Sequence, residues 1–362
     1  MMLKIGIIFG GKSGEHEISL MSATSIIHAI DQEKYEVVKI GITKEGTWLL
    51  YDGPTEGLED GSWQAYAEKC LQEDPEKYKL EILAAGGRSL KDSIDFAFPV
   101  LHGPNGEDGT IQGLFEMVHI PYAGCGVLAS STAMDKCIAK ELFAKAGLPI
   151  CKYLNLQREE IEEDLCGVIT KIEETLTYPI FVKPANMGSS VGITKARDEG
   201  QLKAALGEAC KYDRRLIVEE TVVGREIECG VIGNYRKEAA AVGEIIASHD
   251  FYDYTAKYFD GGQSKICIPA DLEDEITQEV RRLAIKAYET LNCSGFSRID
   301  FFVENRTNRV IISEINTIPG FTKFSMFPSL WEEAGVSYSQ LIERIIEFGY
   351  ERYHAEDNRQ TN

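Results

Sequence analysis

The spacing of apolar and polar residues at the start of the chain predicts a strand, a turn and a helix. Residues 3–9 are apolar apart from Lys4, as in a parallel strand that is buried on both faces. A glycine pair at 10–11 follows, and apolar residues then recur at helical spacing over residues 20–30. Because residues 35–42 have the composition of the next strand, the chain opens with a βαβ unit.

The remainder of the first third continues this pattern. Residues 93–101 are mostly apolar and predict another strand, which ends in a polar, glycine-rich stretch over 102–109. Residues 52–92 are acidic and irregular, and we interpret them as an insertion. Together these features predict an N-terminal parallel α/β domain over residues 1–125.

The other two thirds mix helices and strands in a pattern that predicts α+β units rather than a doubly wound sheet. We place a central α+β domain at residues 126–220 and a C-terminal α+β domain at residues 221–362. The tail after Tyr353 is expected to be disordered. The predicted elements are a helix over 134–146, strands over 178–184 and 216–220, a glycine–serine turn over 186–192, a helix over 199–209, a strand over 226–232, an irregular loop near 249–265, a helix near 272–291, a hairpin over 297–317 and a closing helix after Ser339.

Composition and charge narrow the possible functions. The chain has 362 residues, of which 44% are hydrophobic, and it is long enough for two or three domains. Its formal net charge of −20 disfavours binding to nucleic acid or to an anionic membrane. The nine cysteines include no C-x-x-C pair, which indicates packing roles in a reducing compartment. Since the apolar N-terminus is too short for a signal peptide or a membrane span, we expect a cytoplasmic protein.

Two glycine motifs are weak matches to nucleotide-binding patterns. Residues 6–13 match the P-loop pattern G-x-x-x-x-G-K-[ST], but three of the four middle residues belong to the predicted strand and are not a loop that wraps phosphate. Residues 124–129 match G-x-G-x-x-A, and a turn at a domain junction explains them better. A nucleotide-binding switch of the P-loop type, built on Lys12, stays open as an alternative.

Acidic and amide side chains lie along the predicted hairpin. Side chains two apart in a strand share a face, so Arg298 and Asp300 point the same way on the first strand. Glu314 and Asn316 likewise share a face of the second strand. Carboxylates held together in a partly buried site repel each other unless cations neutralise them, and Asp, Glu and Asn oxygens suit Mg²⁺. The pattern favours a magnesium site over a surface hairpin with ordinary ion pairs.

A lysine interrupts an apolar strand directly before the glycine–serine turn. Taken alone, Lys183 would extend its ammonium to solvent or pair with a carboxylate. Beside this turn it resembles a cation directed at phosphates under a flexible flap, and Lys136 would supply a second positive charge. The apolar strand that ends at Glu220 has a backbone edge suited to adenine, with Glu226 placed to bind a ribose.

Taken in order, these segments resemble the ATP-grasp superfamily, and nearly the whole chain resembles the D-alanine–D-alanine ligase family within it. Any one of the motifs is weak, but five of them in the family's order are highly specific. The stretches that carry the resemblance are FGGKSGEHEISL at 9–20, LHGPNGEDGT at 101–110, KP at 183–184 with GSSVG at 188–192, YDYTAKY at 252–258 and NTIPGFT at 316–322.

The resemblance implies an ATP-grasp fold and an enzyme that joins two D-alanine molecules through an acyl phosphate. Its products would be D-alanyl-D-alanine, ADP and phosphate, for peptidoglycan synthesis. It implies ATP and two Mg²⁺ or Mn²⁺ ions, with K⁺ as a further candidate cofactor, and a homodimer. ATP would lie between the central and C-terminal domains. The nucleotide-binding residues would be Lys136 and Lys183 for the phosphates, Glu219, Glu220 and Val222 for adenine and Glu226 for the ribose, with Ser190 and Lys257 as further cofactor-binding residues. Asp300, Glu314 and Asn316 would bind the metal ions.

The resemblance also implies which residues handle the amino acids. Glu15 would bind the ammonium group of the first substrate, and Arg298 with the Gly320 backbone N–H would stabilise the tetrahedral intermediate. Closing the loop near 249–265 would exclude water from the acyl phosphate. Residues matching Glu15, Ser189 and Tyr258 would link this loop to the rest of the site, His102 would support that network, and Ser325 and Met326 would line the second substrate's site.

Two features bear on the second substrate. The pair Lys257–Tyr258 resembles dipeptide-forming members of the family, and Met326 is apolar where D-serine-adding relatives tend to have arginine. Both favour D-alanine, and a ligase that adds D-serine or D-lactate stays open as an alternative. In a P-loop-type switch, Lys12→Ala would abolish ATP binding and Lys183→Ala would not; a ligase predicts the reverse. A non-catalytic nucleotide-binding module is disfavoured by the complete set of metal-ligand residues.

Overall fold

The computed structural model describes residues 2–78, 80, 89–246 and 265–357. The strands of these residues form three sheets, with helices packed against each of them. The mixture of parallel and antiparallel sheets confirms the predicted α/β and α+β fold class. Among the described residues, no helix has the length and apolar character needed to cross a membrane. All nine cysteines are described, and all are free thiols.

The first sheet has a parallel centre. Its strands are β1 (Leu3–Gly10), β2 (Tyr35–Ile42), β3 (Trp48–Tyr51) and β4 (Phe96–Pro99), in the order β3-β2-β1-β4. β1 pairs in parallel with β2 and β4, and β3 is an antiparallel edge strand. The last six residues of β1 are buried, which explains their uninterrupted apolar sequence. The helices of this region are His16–Ala29, Glu56–Glu59, Trp63–Glu73, Pro75–Tyr78, Leu90–Ser93 and Thr110–Val118.

The interpretation of residues 52–92 as an irregular insertion is wrong for the part that the structure describes. Four short helices form there, and Trp63 packs its ring against Phe9, with 5.1 Å between the ring centroids. A Cβ atom at Gly41 would lie 2.0 Å from the Trp63 ring, so that glycine makes room for the tryptophan. The predicted strand over 93–101 is also shorter, because a helix with a capping box occupies residues up to Ser93.

The second sheet is antiparallel throughout. Its strands are β5 (Tyr153–Gln157), β6 (Ile180–Pro184), β7 (Thr194–Ala196) and β8 (Arg215–Glu220), in the order β5-β8-β6-β7. The helices Arg158–Glu163, Leu165–Thr175 and Glu199–Ala209 cover one face of this sheet. Lys183 and Glu219 lie on the other face, which is directed away from those helices.

The third sheet is also antiparallel. Its strands are β9 (Gly224–Ile232), β10 (Glu238–Ile246), β11 (Lys265–Cys267), β12 (Phe296–Glu304) and β13 (Val310–Asn316), in the order β11-β10-β9-β12-β13. The helices Val127–Met134, Lys136–Lys145 and Asp274–Thr290 pack on one face. The helices Met326–Glu333 and Tyr338–Asp357 belong to the core shared with the first sheet.

The predicted helix over 134–146 is confirmed as the helix Lys136–Lys145, and Asp135 caps its start by accepting the Ile138 N–H at 3.0 Å. The helix Val127–Met134 that precedes it was not predicted. The chain also stays helical to Asp357, so the disorder predicted after Tyr353 does not begin there. The predicted helix over 199–209 and the hairpin are confirmed.

Candidate active site

A cavity of about 410 Å³ lies where the three sheets converge. The first sheet's loops and first helix, the glycine–serine turn and the hairpin all contribute to its wall. The structure therefore brings together side chains that are more than 300 positions apart in the sequence. The predicted site residues in the wall are Glu15, His102, Lys136, Ser189, Ser190, Arg298, Glu314, Asn316, Gly320, Ser325 and Met326.

The predicted metal ligands share one face of the third sheet. Asp300 on β12 lies directly opposite Glu314 on β13, and Asn316 lies two pairs further along, opposite Arg298. The Asn316 amide donates to Asp300 Oδ2 at 2.8 Å. The described residues contain no group of three or more His, Cys, Asp or Glu side chains that could hold a metal ion. Two carboxylates and one amide nevertheless fit Mg²⁺, which commonly takes few protein ligands and completes its shell with water and phosphate oxygens.

Arg298 is held between two carboxylates on neighbouring strands. Its guanidinium Nε lies 2.7 Å from Asp300 Oδ1 and 2.9 Å from Glu228 Oε2. Burial by itself would lower the pKa of Arg298, but Asp300 and Glu228 raise it well above its ordinary value, so the side chain stays charged. Glu228 is 5% exposed and escaped the sequence analysis. Its signal was the two-residue spacing from Glu226, which places both side chains on one face of β9.

The glycine–serine turn contacts the N-terminal region across the cavity. Ser189 Oγ donates a hydrogen bond to the Glu15 carboxylate. A Cβ atom at Gly103 would lie 2.8 Å from Glu15 Oε2, so a side chain there would displace the carboxylate. Ser189 and Ser190 have φ angles of 48° and 60°, a backbone region that non-glycine residues seldom occupy and that often marks functional sites. Tyr258, the third residue predicted for this contact, and the predicted cofactor-binding residue Lys257 lie outside the described residues.

His102 attaches the loop that contains Gly320 to the N-terminal region. Its Nδ1 is 3.0 Å from the Ile318 carbonyl oxygen, which can only accept, so Nδ1 carries the proton. Nε2 is 3.5 Å from Ser22 Oγ, and Ser22 Oγ accepts the Phe321 N–H at 3.4 Å. Burial lowers the pKa of His102, which keeps the ring neutral. Ser22 therefore supports this loop from behind the cavity, although nothing in its sequence context distinguished it from an ordinary buried helix residue.

Glu107 is a second carboxyl group in the cavity wall that the sequence analysis missed. Its two oxygens accept the Gly103 N–H at 2.8 Å and the Ile318 N–H at 3.3 Å. Burial, together with the nearby Glu15, raises the pKa of Glu107 to about 8. The signal for this residue was present, because Glu107 lies within the polar HGPNGEDG stretch.

Glu107→Gln is expected to remove a pH dependence of stability. Since the pKa of Glu107 is about 8 in the folded protein and 4.5 for an ordinary glutamate, folding takes up a proton between these values. The stabilisation is complete below about pH 4.5 and is lost as the pH rises through 8, at up to about 1.4 kcal/mol per pH unit. Urea denaturation at pH 6 and pH 8.5 measures the effect, with the exposed Glu333→Gln as control. If the free energy of unfolding changed equally with pH in Glu107→Gln and in the unmodified protein, Glu107 would not be the group with the raised pKa.

The lysines occupy two positions around the cavity. Lys136 lies in the wall, donates to the Met187 carbonyl oxygen at 2.7 Å and has its ammonium 3.8 Å from Glu314 Oε2. Lys183 lies outside the wall and forms an ion pair of 2.5 Å with the buried Glu219. Glu219 Oε1 also lies 2.9 Å from the ammonium of Lys140, which the sequence analysis missed. The signal for Lys140 was its position four residues after Lys136 on one helix.

Not all of the predicted site residues line this cavity, and six of the described ones lie outside its wall. Glu220 lines a second cavity of about 220 Å³, and its carboxylate accepts the Lys152 N–H at 2.8 Å. Ser325 Oγ accepts the Thr322 N–H at 3.0 Å, and Met326 is 5% exposed. Residues outside the wall of the first cavity are Lys183, Glu219, Glu220, Val222, Glu226 and Asp300.

The P-loop match at residues 6–13 is not a phosphate-binding loop. Ile7, Ile8 and Phe9 lie inside β1 and have 0% exposure. Their backbone groups pair with the neighbouring strands, so they are not available to wrap around a phosphate. Lys12, which follows the strand, is exposed.

Comparisons with known proteins agree with this geometry. The chain matches the family models described as D-ala D-ala ligase N-terminus, over residues 4–125, and D-ala D-ala ligase C-terminus, over residues 142–347. It is 51% identical to the D-alanine–D-alanine ligase of Acetivibrio thermocellus, with 97% of this chain and 96% of that protein covered.

Two solved structures share the fold over almost the full length. The VanG D-Ala:D-Ser ligase from Enterococcus faecalis has a TM-score of 0.83 at 38% identity and covers 96% of this chain and 100% of its own. The D-alanine–D-alanine ligase from Bacillus anthracis, solved in complex with ATP, has a TM-score of 0.72 at 25% identity and covers 98% and 99%. With both halves matched and half of the residues identical to a relative, the chain belongs to the D-alanine–D-alanine ligase family.

Proposed function

We propose that this protein is an ATP-dependent ligase that joins two D-alanine molecules. The carboxylate of the first D-alanine attacks the γ-phosphorus of ATP, and ADP leaves with the bond electrons. The amine of the second D-alanine then attacks the acyl phosphate carbonyl, phosphate leaves, and the amine loses a proton. The observation that carries the proposal is the single cavity in which Glu15, Lys136, Arg298 and Glu314 come together from distant parts of the chain.

The residue types in the cavity suit this chemistry. A carboxylate is a poor electrophile until phosphorylation supplies a leaving group, and its attack on ATP brings two anions together. Lys136 and Arg298 supply positive charge that reduces this repulsion. Glu15 supplies negative charge for the substrate ammonium, and the Gly320 backbone N–H with Arg298 would stabilise the oxyanion of the tetrahedral intermediate.

The nucleotide would occupy the space between the second and third sheets. We assign the phosphates to Lys136 and Lys183, under the turn that contains Ser190, together with Lys257. We assign adenine to Glu219, Glu220 and Val222, and the ribose to Glu226. The position of Glu226 supports this role, because its side chain lies on the same face of β9 as Glu228, which lines the cavity.

Asp300, Glu314 and Asn316 would hold two Mg²⁺ or Mn²⁺ ions. Bound metal supplies positive charge that neutralises the phosphate oxygens. For Asp300 and Asn316 to bind a metal ion, the guanidinium of Arg298 must move from Asp300 towards the substrate. The Asn316 amide must also present its oxygen instead of its nitrogen. K⁺ is a further candidate cofactor.

Water must be kept from the acyl phosphate. The hydrogen bond from Ser189 to Glu15 closes the glycine–serine turn over one side of the cavity. We propose that Tyr258 joins this contact and that His102 supports it through the Ile318 carbonyl. Exclusion of water would favour attack by the amine over hydrolysis.

The second substrate is D-alanine in this proposal. Ser325 and Met326 lie in the cavity wall, and the apolar Met326 offers no charge or hydrogen-bond donor to a D-serine hydroxyl. The likeness to a D-Ala:D-Ser ligase structure makes D-serine the second candidate. We further propose the division into domains 1–125, 126–220 and 221–362, a homodimer, and a cytoplasmic location, where ATP and free amino acids are supplied.

The test is to measure ADP and phosphate release with ATP, Mg²⁺ and D-alanine. We expect stoichiometric ADP, phosphate and dipeptide with D-alanine, and release at least about 100-fold slower with L-alanine, because the amino acid is held at several fixed points. Offering D-serine or D-lactate beside D-alanine, and identifying the product by mass spectrometry, separates the ligase classes. Equal rates with L-alanine, or no ADP with D-alanine, would refute the proposal.

A further inference from the structure

We propose that Lys140 is a positioning residue that neutralises Glu219, so that Lys183 is free to turn to the nucleotide. This inference rests on the ATP-dependent function proposed above. Glu219 lies between the two ammonium groups, with 2.9 Å from Oε1 to Lys140 Nζ and 2.5 Å from Oε2 to Lys183 Nζ. One buried carboxylate therefore has two cationic partners.

The two lysines are held very differently. The side chain of Lys140 is 4% exposed, and its ammonium also contacts Cys151 Sγ at 3.3 Å and the Ile312 carbonyl oxygen at 3.4 Å. The side chain of Lys183 is 16% exposed and lies on the face of β6 opposite the helices Arg158–Glu163, Leu165–Thr175 and Glu199–Ala209. Lys140 is thus fixed from several sides, and Lys183 is the partner with room to move.

The charges in this cluster do not balance. Burial by itself would raise the pKa of Glu219, but Lys140 and Lys183 hold it well below its ordinary value, so the carboxylate stays ionised. Burial raises the pKa of Cys151, which keeps the thiol neutral. Two ammonium groups and one carboxylate leave one positive charge in excess, which favours the approach of a polyanion such as ATP.

Lys140 lowers the electrostatic cost of moving Lys183 away from Glu219. Removing the only partner of a buried charge leaves that charge uncompensated, which is strongly unfavourable. With Lys140 in place, Glu219 keeps one ion pair when Lys183 turns away. Without Lys140, Lys183 would have to stay with Glu219, and the nucleotide phosphates would lose a cation.

The helix Lys136–Lys145 supplies both the cation that lies in the cavity wall and the cation that pairs with Glu219. Residues four apart lie on the same side of a helix, so Lys136 and Lys140 project together. Lys136 reaches the cavity wall beside Glu314, and Lys140 reaches the buried Glu219. The helix therefore supplies one cation to the site and one to the carboxylate behind it.

The first measurement is the affinity for ATP with Mg²⁺, by titration calorimetry. For Lys140→Met we expect Kd to rise on the order of 100-fold, because Lys183 is retained by Glu219. The KM for D-alanine should change by less than about 3-fold, since the amino acid sites do not contact this cluster. Lys140→Arg should restore most of the affinity. Lys145→Met, on the exposed side of the same helix, is the matched control and should bind as the unmodified protein does.

The decisive variant is the double substitution Lys140→Met with Glu219→Gln. If Lys140 acts by neutralising Glu219, Lys140→Met should have little effect once Glu219 is already neutral, so the double variant should bind ATP within about 3-fold of Glu219→Gln alone, which carries any loss of the adenine contact assigned to Glu219. A double variant that binds ATP on the order of 100-fold more weakly than Glu219→Gln alone would overturn the proposal, because Lys140 would then act on ATP directly or through folding. Wild-type affinity in Lys140→Met would also overturn it. Thermal unfolding of each variant identifies any that do not fold, and the double variant, in which the Glu219 carboxylate is removed together with Lys140, can still be compared with Glu219→Gln alone.

Calorimetry separates this inference from the proposed function. ATP binding is measured without turnover, so a protein that binds ATP but forms no ADP with D-alanine would refute the ligase assignment alone. The Lys140 inference would still be decided by the affinities of the single and double variants.

Discussion

Glu314→Gln is expected to lower kcat for ligation by about 10³-fold while the protein stays folded. Glu314 lies opposite Asp300 in the hairpin, and its side chain is 34% exposed, so its loss leaves no cavity in the core. Glutamine keeps the size and removes the charge. The substitution therefore removes a proposed metal ligand and one of the negative charges that Lys136 faces.

Two measurements check this expectation. ADP release with ATP, Mg²⁺ and D-alanine reports kcat, and the urea midpoint reports whether the fold is retained. Glu333→Gln, which removes an equal charge from an exposed helix position, is the control and should keep its activity. Normal turnover by Glu314→Gln would show that Glu314 does not hold the metal ions.

Arg298→Gln is expected to destabilise the protein by about 3–5 kcal/mol and to abolish ligation. Arg298 lies between Glu228 and Asp300, and its removal leaves two carboxylates on neighbouring strands without their shared cation. Of the two, Glu228 is the more deeply buried, and its side chain is 7% exposed. The loss of stability should therefore come mainly from Glu228.

A double variant separates stability from activity. Adding Glu228→Gln to Arg298→Gln removes the more buried charge and should restore about half of the lost stability. It should not restore ligation, because the cation that faces the reacting carboxyl group is still missing. Urea denaturation and ADP release measure the two properties. Recovery of turnover in the double variant would show that Arg298 acts only as a structural partner of Glu228.

The local pattern of the sequence was sufficient to predict the structure wherever the spacing of residues alone sets the direction of their side chains. The apolar run of β1 predicted a buried parallel strand, and two-residue spacing predicted that Arg298 and Asp300 share a face of one strand and that Glu314 and Asn316 share a face of the next. Both follow from the alternation of side chains along a strand, which does not depend on the rest of the fold. The five ordered motifs indicated the family for the same reason, since each is a short local segment.

Local pattern failed where a residue's environment is made by distant parts of the chain. The acidic surface of the helix Trp63–Glu73 concealed that Trp63 is a core residue packed on Phe9. The helix Val127–Met134 was not predicted, and its end depends on the extended backbone conformation of one residue, Asp135.

The chemistry at the centre of the cavity depends most on tertiary structure. Ser22, Lys140 and Glu228 lie in no motif that indicates a role, and each acquires one through a partner that lies 70 or more positions away. The sequence by its own local rules determined the strands, the shared face of the hairpin and the family. Only the folded structure decided which carboxyl group is buried, which lysine neutralises it and which lysine is left for the nucleotide. Burial and the pairing of charges are properties of the three-dimensional packing.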